Sequence, residues 1–152
     1  MKLGEALQRR SDNLKRTSDL QGRIQRNALV QEGETPAESP QTLLAELERL
    51  GDETLNLIQR INRTNVATPL AAGTSIADAI AERDHLTRMR VHYVAIAESA
   101  TPALSRQTRS EIKYERTYDA AAARKLADDC AKARRELDMR IQQANWETDL
   151  VK

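Results

Sequence analysis

The densest run of chemistry-bearing side chains reads Asn62, Arg63, Thr64, Asn65, and a second run reads Arg109, Ser110, Glu111, with Lys113 close by. Arg63, Arg109 and Lys113 suit an anionic group such as phosphate or carboxylate, which the Thr64 and Ser110 hydroxyls and the Asn amides would orient. The competing reading is structural: Asn tolerates the left-handed backbone that closes helices, and the Arg and Glu of an arm lock contacts between subunits. Only convergence of the two runs favours a ligand, and nothing in the chain itself requires it. The structural reading is therefore the simpler one.

Catalysis has less support. There is no glycine-rich phosphate loop, no nucleophile elbow and no histidine spaced to activate a nucleophile. Glu82, Asp84 and Glu111 offer carboxylates for acid–base work, as any charged helical protein does. His85 and His92 share a helical face but stand about 10 Å apart along the axis, too far to bind one metal ion together. Glu32, Glu34 and Glu38 crowd a Pro-rich loop and read as solvated, while Cys130, on an apolar stripe, reads as a small buried hydrophobe. The leading reading is a non-enzymatic assembly or interaction protein with no catalytic residue, metal or cofactor; the alternative is a binding protein or enzyme for a small anion or nucleotide that uses Arg63, Arg109 and Lys113.

The elements that must position these residues are helices. Leu43, Leu47, Leu50, Leu57 and Ile61 recur at helical spacing, with Leu44 and Ile58 widening the stripe, so a long amphipathic helix spans about 41–65. Ser39 caps it, and Gly51 in its interior marks a bend or a close helix crossing. A first helix over 2–29 carries Leu3, Leu7, Leu14, Ile24 and Ala28, with Arg10, Thr17 and Gln21 on the same stripe. A third, over 76–100, opens at a capping box, Ser75 to Asp78. A fourth, over 119–145, aligns Ala123, Leu126, Cys130, Ala133, Leu137, Ile141 and Ala144, and Trp146 anchors its last turn. Between helices three and four, residues 101–118 alternate in part and predict a short extended arm or β-hairpin. The expectation is an all-α single domain, 1–152: four long helices in a bundle or coiled-coil arrangement, plus the arm.

Composition agrees. Aromatics are 3% with no Phe, and charged residues are 31%, which suits long helices with thin Leu, Ile and Ala cores. Thin cores gain from assembly, so the expected partner is another copy of the chain, with a small anion as the alternative. Residues 1–30 hold seven basic and three acidic side chains, and residues 31–60 hold two and seven, so the first two helices are electrostatically complementary. That gives the basic helix an internal partner and argues against nucleic acid. No apolar run reaches the roughly 20 residues that a membrane span needs, the amino terminus lacks the apolar core of a signal peptide, and the single Cys130 has no intramolecular disulfide partner. A cytoplasmic protein is expected.

Five segments in order carry a resemblance: Asn27 to Glu34, Ile61 to Asn65, Ala81 to Asp84, Arg109 to Lys113, and Asn145-Trp146. Together they resemble a family of short bacterial helical proteins, some of whose members are labelled septicolysin. The resemblance spans essentially the whole chain. It implies a short helical protein without catalytic residues to carry over, and its label implies a cytolysin. A pore former needs a long apolar helix or strands that close into a barrel. Neither pattern is visible in the chain, so lysis is the remote alternative.

Overall fold

The computed structural model describes residues 1–101 and 115–152. Over these the protein is all-α, with four helices: α1 (Leu3–Asn27), α2 (Pro40–Ala67), α3 (Ile76–Ser99) and α4 (Ala120–Glu147). A two-stranded antiparallel hairpin, β1 (Pro69–Ala71) and β2 (Thr74–Ser75), lies between α2 and α3. The hairpin was expected elsewhere. Most of the arm expected between helices three and four, residues 102–114, lies outside the described residues, and 115–119 form no regular element. The hairpin that is described forms because Gly73 takes a positive φ of 76°, a conformation glycine adopts without steric cost. Ile76 N–H then donates to Thr68 O and closes the entry to α3.

The chain divides into two compact units, Met1–Ile76 with Gln142–Lys152, and Ala77–Ile141. In the first, α1 and α2 run antiparallel. Along α2 the buried positions Leu43, Leu50, Thr54, Leu57, Ile61 and Thr64, with half-buried Leu47, follow an unbroken alternation of three- and four-residue steps. That is the face the apolar stripe predicts. Along α1 the lining positions are Leu3, Ala6, Arg10, Asn13, Thr17, Leu20, Ile24 and Asn27, all buried or half-buried. Leu14, assigned to the stripe from its hydrophobicity, is instead 53% exposed. Half of the α1 seam is polar; Leu20 and Ile24 pack with Leu43, Leu47 and Leu50, and Leu3 and Ala6 are buried at the other end.

Charge supplements the thin seam. Arg9, Arg16 and Arg23 recur every seven residues on α1 and pair with Glu53, Glu46 and Glu38. Arg49 adds a second contact to Glu53 at 3.2 Å, four residues along the same helix. At the end of α1, Asn27 Nδ2 donates to Arg23 O and its Oδ1 accepts from Glu38 N–H, so one side chain ties the connecting loop to the ladder. Glu38 is therefore paired with the Arg23 guanidinium. Ser39 Oγ accepts from Thr42 N–H and Pro40 opens α2, as its missing donor allows.

In the second unit the α3 and α4 segments are also antiparallel: Arg83 reaches Asp138 at 3.4 Å, and Arg124 Nη2 donates to Thr101 Oγ1 at 3.2 Å. Small side chains fill much of its buried surface, with Ala79, Ala97, Ala120, Ala123 and Ala127 beside Leu137. Leu126 and Ala133, placed on the α4 stripe from sequence, are exposed.

Two expectations follow. Gly51 is helical and exposed, and a Cβ built there meets nothing within 4 Å, so it marks no close crossing. Gly51→Ala should stabilise the protein by about 0.5–1 kcal/mol through helix propensity, read from urea unfolding; destabilisation would contradict the open surroundings. The Arg9 hydrogen bond, helped by the nearby Asn13 amide and the Arg9 and Arg49 charges, holds the Glu53 carboxyl below its ordinary 4.5. A depressed folded-state pKa means that the unfolded chain binds more protons in that window. The contribution is complete above about pH 4.5 and is lost as pH falls through the lower folded value. Thermal midpoints measured from pH 6 to 3 should fall less steeply for Glu53→Gln than for the parent, and equal slopes would remove Glu53 from the ladder's energetics.

Candidate functional site

The run Asn62 to Asn65 lies inside the last two turns of α2, which ends only at Ala67. Successive residues on a helix point about 100° apart, so the run fans out around the axis. Arg63 faces outward and lies back along its own helix, its Nε donating to Gln59 O at 3.3 Å. Asn62 is exposed and Asn65 half-buried, while Thr64 is fully buried. Arg63 and Thr64 are thus directed to different surroundings and do not share a ligand-sized space. Arg109, Ser110, Glu111 and Lys113 lie outside the described residues.

Thr64 is held in a clasp of the chain's two ends. Its Oγ1 donates to Arg60 O at 2.8 Å and accepts from Val151 N–H at 3.1 Å. One turn earlier Arg60 Nε donates to Val151 O at 2.7 Å, so α2 holds both backbone groups of Val151. The amino terminus holds the neighbouring residues: Leu3 N–H donates to Thr148 O, and Leu150 N–H to Met1 O, each at 2.9 Å. Lys2 Nζ reaches Glu147 O at 3.0 Å and the Asp149 carboxylate at 2.9 Å. A cation at the last carbonyls of α4 complements the negative end of the helix dipole. The Lys2 hydrogen bond holds the Asp149 carboxyl below its ordinary range.

Packing completes the clasp. Gly4 is buried, and a Cβ there would stand 2.9 Å from Cδ2 and Cε3 of Trp146 and 3.2 Å from Asn145 O, so the close approach requires glycine. Trp146 anchors the final turn over this glycine, with 59% of its own surface still exposed. Sequence reasoning singled out Thr64, Asn145 and Trp146 but missed Lys2, Arg60 and the tail. The Gly4 to Trp146 pairing had no signal in pattern alone, and the tail contributes mostly backbone groups, which every residue carries.

The arrangement fastens the amino-terminal residues and α2 to the carboxy-terminal tail. Among the described residues no three His, Cys, Asp or Glu side chains are grouped to hold a metal ion. His85 and His92 are exposed, and Cys130 is a half-buried free thiol. No helix among the described residues is long and apolar enough to cross a membrane.

Removing the hydroxyl tests the clasp. Thr64→Val keeps the shape but leaves Val151 N–H without its acceptor, which should cost about 1–3 kcal/mol. Amide hydrogen exchange at Val151 should accelerate together with a fall in the thermal midpoint. Unchanged exchange would show that the tail is held by other groups.

Comparison with known proteins places this geometry among uncharacterised relatives. The model of a family of unknown function, DUF6847, matches residues 10–150. A crystal structure of a functionally unknown conserved protein from Corynebacterium diphtheriae is 44% identical over 99% of both chains, with a TM-score of 0.90. No curated protein matches.

Proposed function

The chain belongs to the DUF6847 family, and we propose that it is a non-enzymatic cytoplasmic protein whose role is assembly, beginning with its own homo-oligomer. One observation carries this reading. The outer surface of α2 leaves Leu44, Leu55 and Val66 exposed, at 47%, 55% and 69%, on a helix that packs a different face against α1. Scattered apolar residues are normal on a surface, but these three share one helical face, with half-buried Ile58 beside them and Glu48, Gly51 and Asn62 between them.

The distribution of polar groups supports the same reading. Arg9, Arg16 and Arg23 answer Glu53, Glu46 and Glu38, and Arg60 and Thr64 answer the tail. These side chains are engaged in holding the fold. The single thiol, Cys130, suits a reducing compartment.

Light scattering on the purified full chain across a micromolar concentration series tests the proposal. A discrete mass that is a multiple of the 17.1 kDa chain and independent of concentration is expected. A monomer throughout the series would overturn it.

A further inference from the structure

We infer that a second copy of the chain covers the outer row of α2, with two α2 helices running antiparallel about a two-fold axis at Leu55. The inference rests on the assembly reading and names its interface.

Leu44, Leu55 and Val66 are eleven residues apart, about three helical turns, so they stand nearly in line along some 33 Å of helix. Half-buried Ile58 falls in the same row. The row is turned about 100° from the seam residues Leu43, Leu50, Leu57 and Ile61, each seam residue being offset by one position or its helical equivalent. It is therefore a second face, separate from the one that α1 covers, on which Glu48, Gly51 and Asn62 lie between the apolar residues.

Charge selects the occupant and its direction. Beside the row, the amino-terminal half of α2 carries the exposed acids Glu48 and Asp52, and the carboxy-terminal half carries exposed Arg63. Neither acid is in an ion pair among the described residues, whereas Glu46 and Glu53 on the seam side are paired with α1. A face that is acidic at one end and basic at the other is complementary to itself when reversed. Antiparallel pairing sets Leu44 against the partner's Val66 and Leu55 against the partner's Leu55, and brings Glu48 within reach of the partner's Arg63. Parallel pairing sets Glu48 beside Glu48 and Asp52 beside Asp52, which like-charge repulsion disfavours. A contact in which each partner gives the same patch is the isologous kind that closes a dimer. The formal net charge of +1 opposes such self-association very little.

Disulfide trapping in the full-length chain, with Cys130→Ser to remove the native thiol, tests both face and direction. Leu55→Cys should cross-link to itself under mild oxidation. Leu44→Cys and Val66→Cys should each stay uncross-linked alone and should link when the two proteins are mixed. Light scattering on the same variants before oxidation separates two kinds of failure. An intact oligomer that gives none of these cross-links, or Leu44→Cys linking to itself, overturns this interface and leaves the assembly reading standing. A monomer overturns both. Charge exchange gives an independent readout: Glu48→Arg should lose the oligomer, and adding Arg63→Glu in the same chain should restore it. Loss without restoration would count against the antiparallel register.

Discussion

The structure of the first unit depends on keeping α1 and α2 in register across a seam too polar to do so by burial alone. Arg10, Asn13 and Thr17 occupy the middle of the α1 seam, with Leu20 and Ile24 packed on Leu43, Leu47 and Leu50 to one side and buried Leu3, Ala6, Leu57 and Ile61 to the other. Asn13 Nδ2 is buried without a hydrogen-bond partner, a situation that costs about 1–3 kcal/mol. Its amide lies close enough to Glu53 to favour the charged carboxylate even so. A polar group in a seam lowers stability and penalises every alignment that surrounds it less well.

The arginine ladder supplies what the seam lacks, though each exposed pair contributes only about 0.2–1 kcal/mol. Its value lies in the pattern. A slip of one heptad that moved Arg16 to Glu53 and Arg23 to Glu46 would bring Arg9 to Arg60 and replace an attraction with a repulsion. The same slip would pull Arg60 from Val151 and Leu3 from Thr148, since the clasp fixes where both helices end. Ladder and clasp thus exclude the same wrong alignment from opposite ends of the hairpin.

How much of this was legible depended on how strongly each face is marked by apolar residues. On α2 the leucines define the face, and the sequence located both the seam and the Ser39 cap. On α1 the rule followed Leu7 and Leu14 and treated Arg10 and Thr17 as intrusions, when those polar residues lie on the seam and Leu14 lies outside it. With so few apolar residues, hydrophobicity does not identify a face; the three-four spacing anchored at Leu3 and Leu20 does. On α4 the seam is partly alanine, so Leu126 misled for the same reason. The hairpin after α2 leaves no signal in the sequence pattern, because strands of two and three residues carry no periodicity. The charge asymmetry between the first two segments was the most informative global feature, since it anticipated the ladder without naming its rungs.

The candidate site failed to be legible for a geometric reason. A run of four polar residues looks like one cluster in sequence, yet on a helix each step turns the side chain by about 100°. Asn62 to Asn65 therefore serves several surroundings at once: Thr64 enters the clasp, and Arg63 turns outward toward the flank of the second apolar row. This division makes α2 the element on which the rest of the described first unit converges. One face packs against α1, its last turns hold the carboxy-terminal tail, and its remaining apolar face has no covering element among the described residues that would account for Leu55 and Val66. A helix whose charged groups on the packed side are matched, and whose open side carries Leu44, Leu55 and Val66 with opposite charges at its two ends, has the attributes of a contact surface. The same attributes are poorly suited to a reaction site, which needs polar groups converging on one point instead of spread along a row.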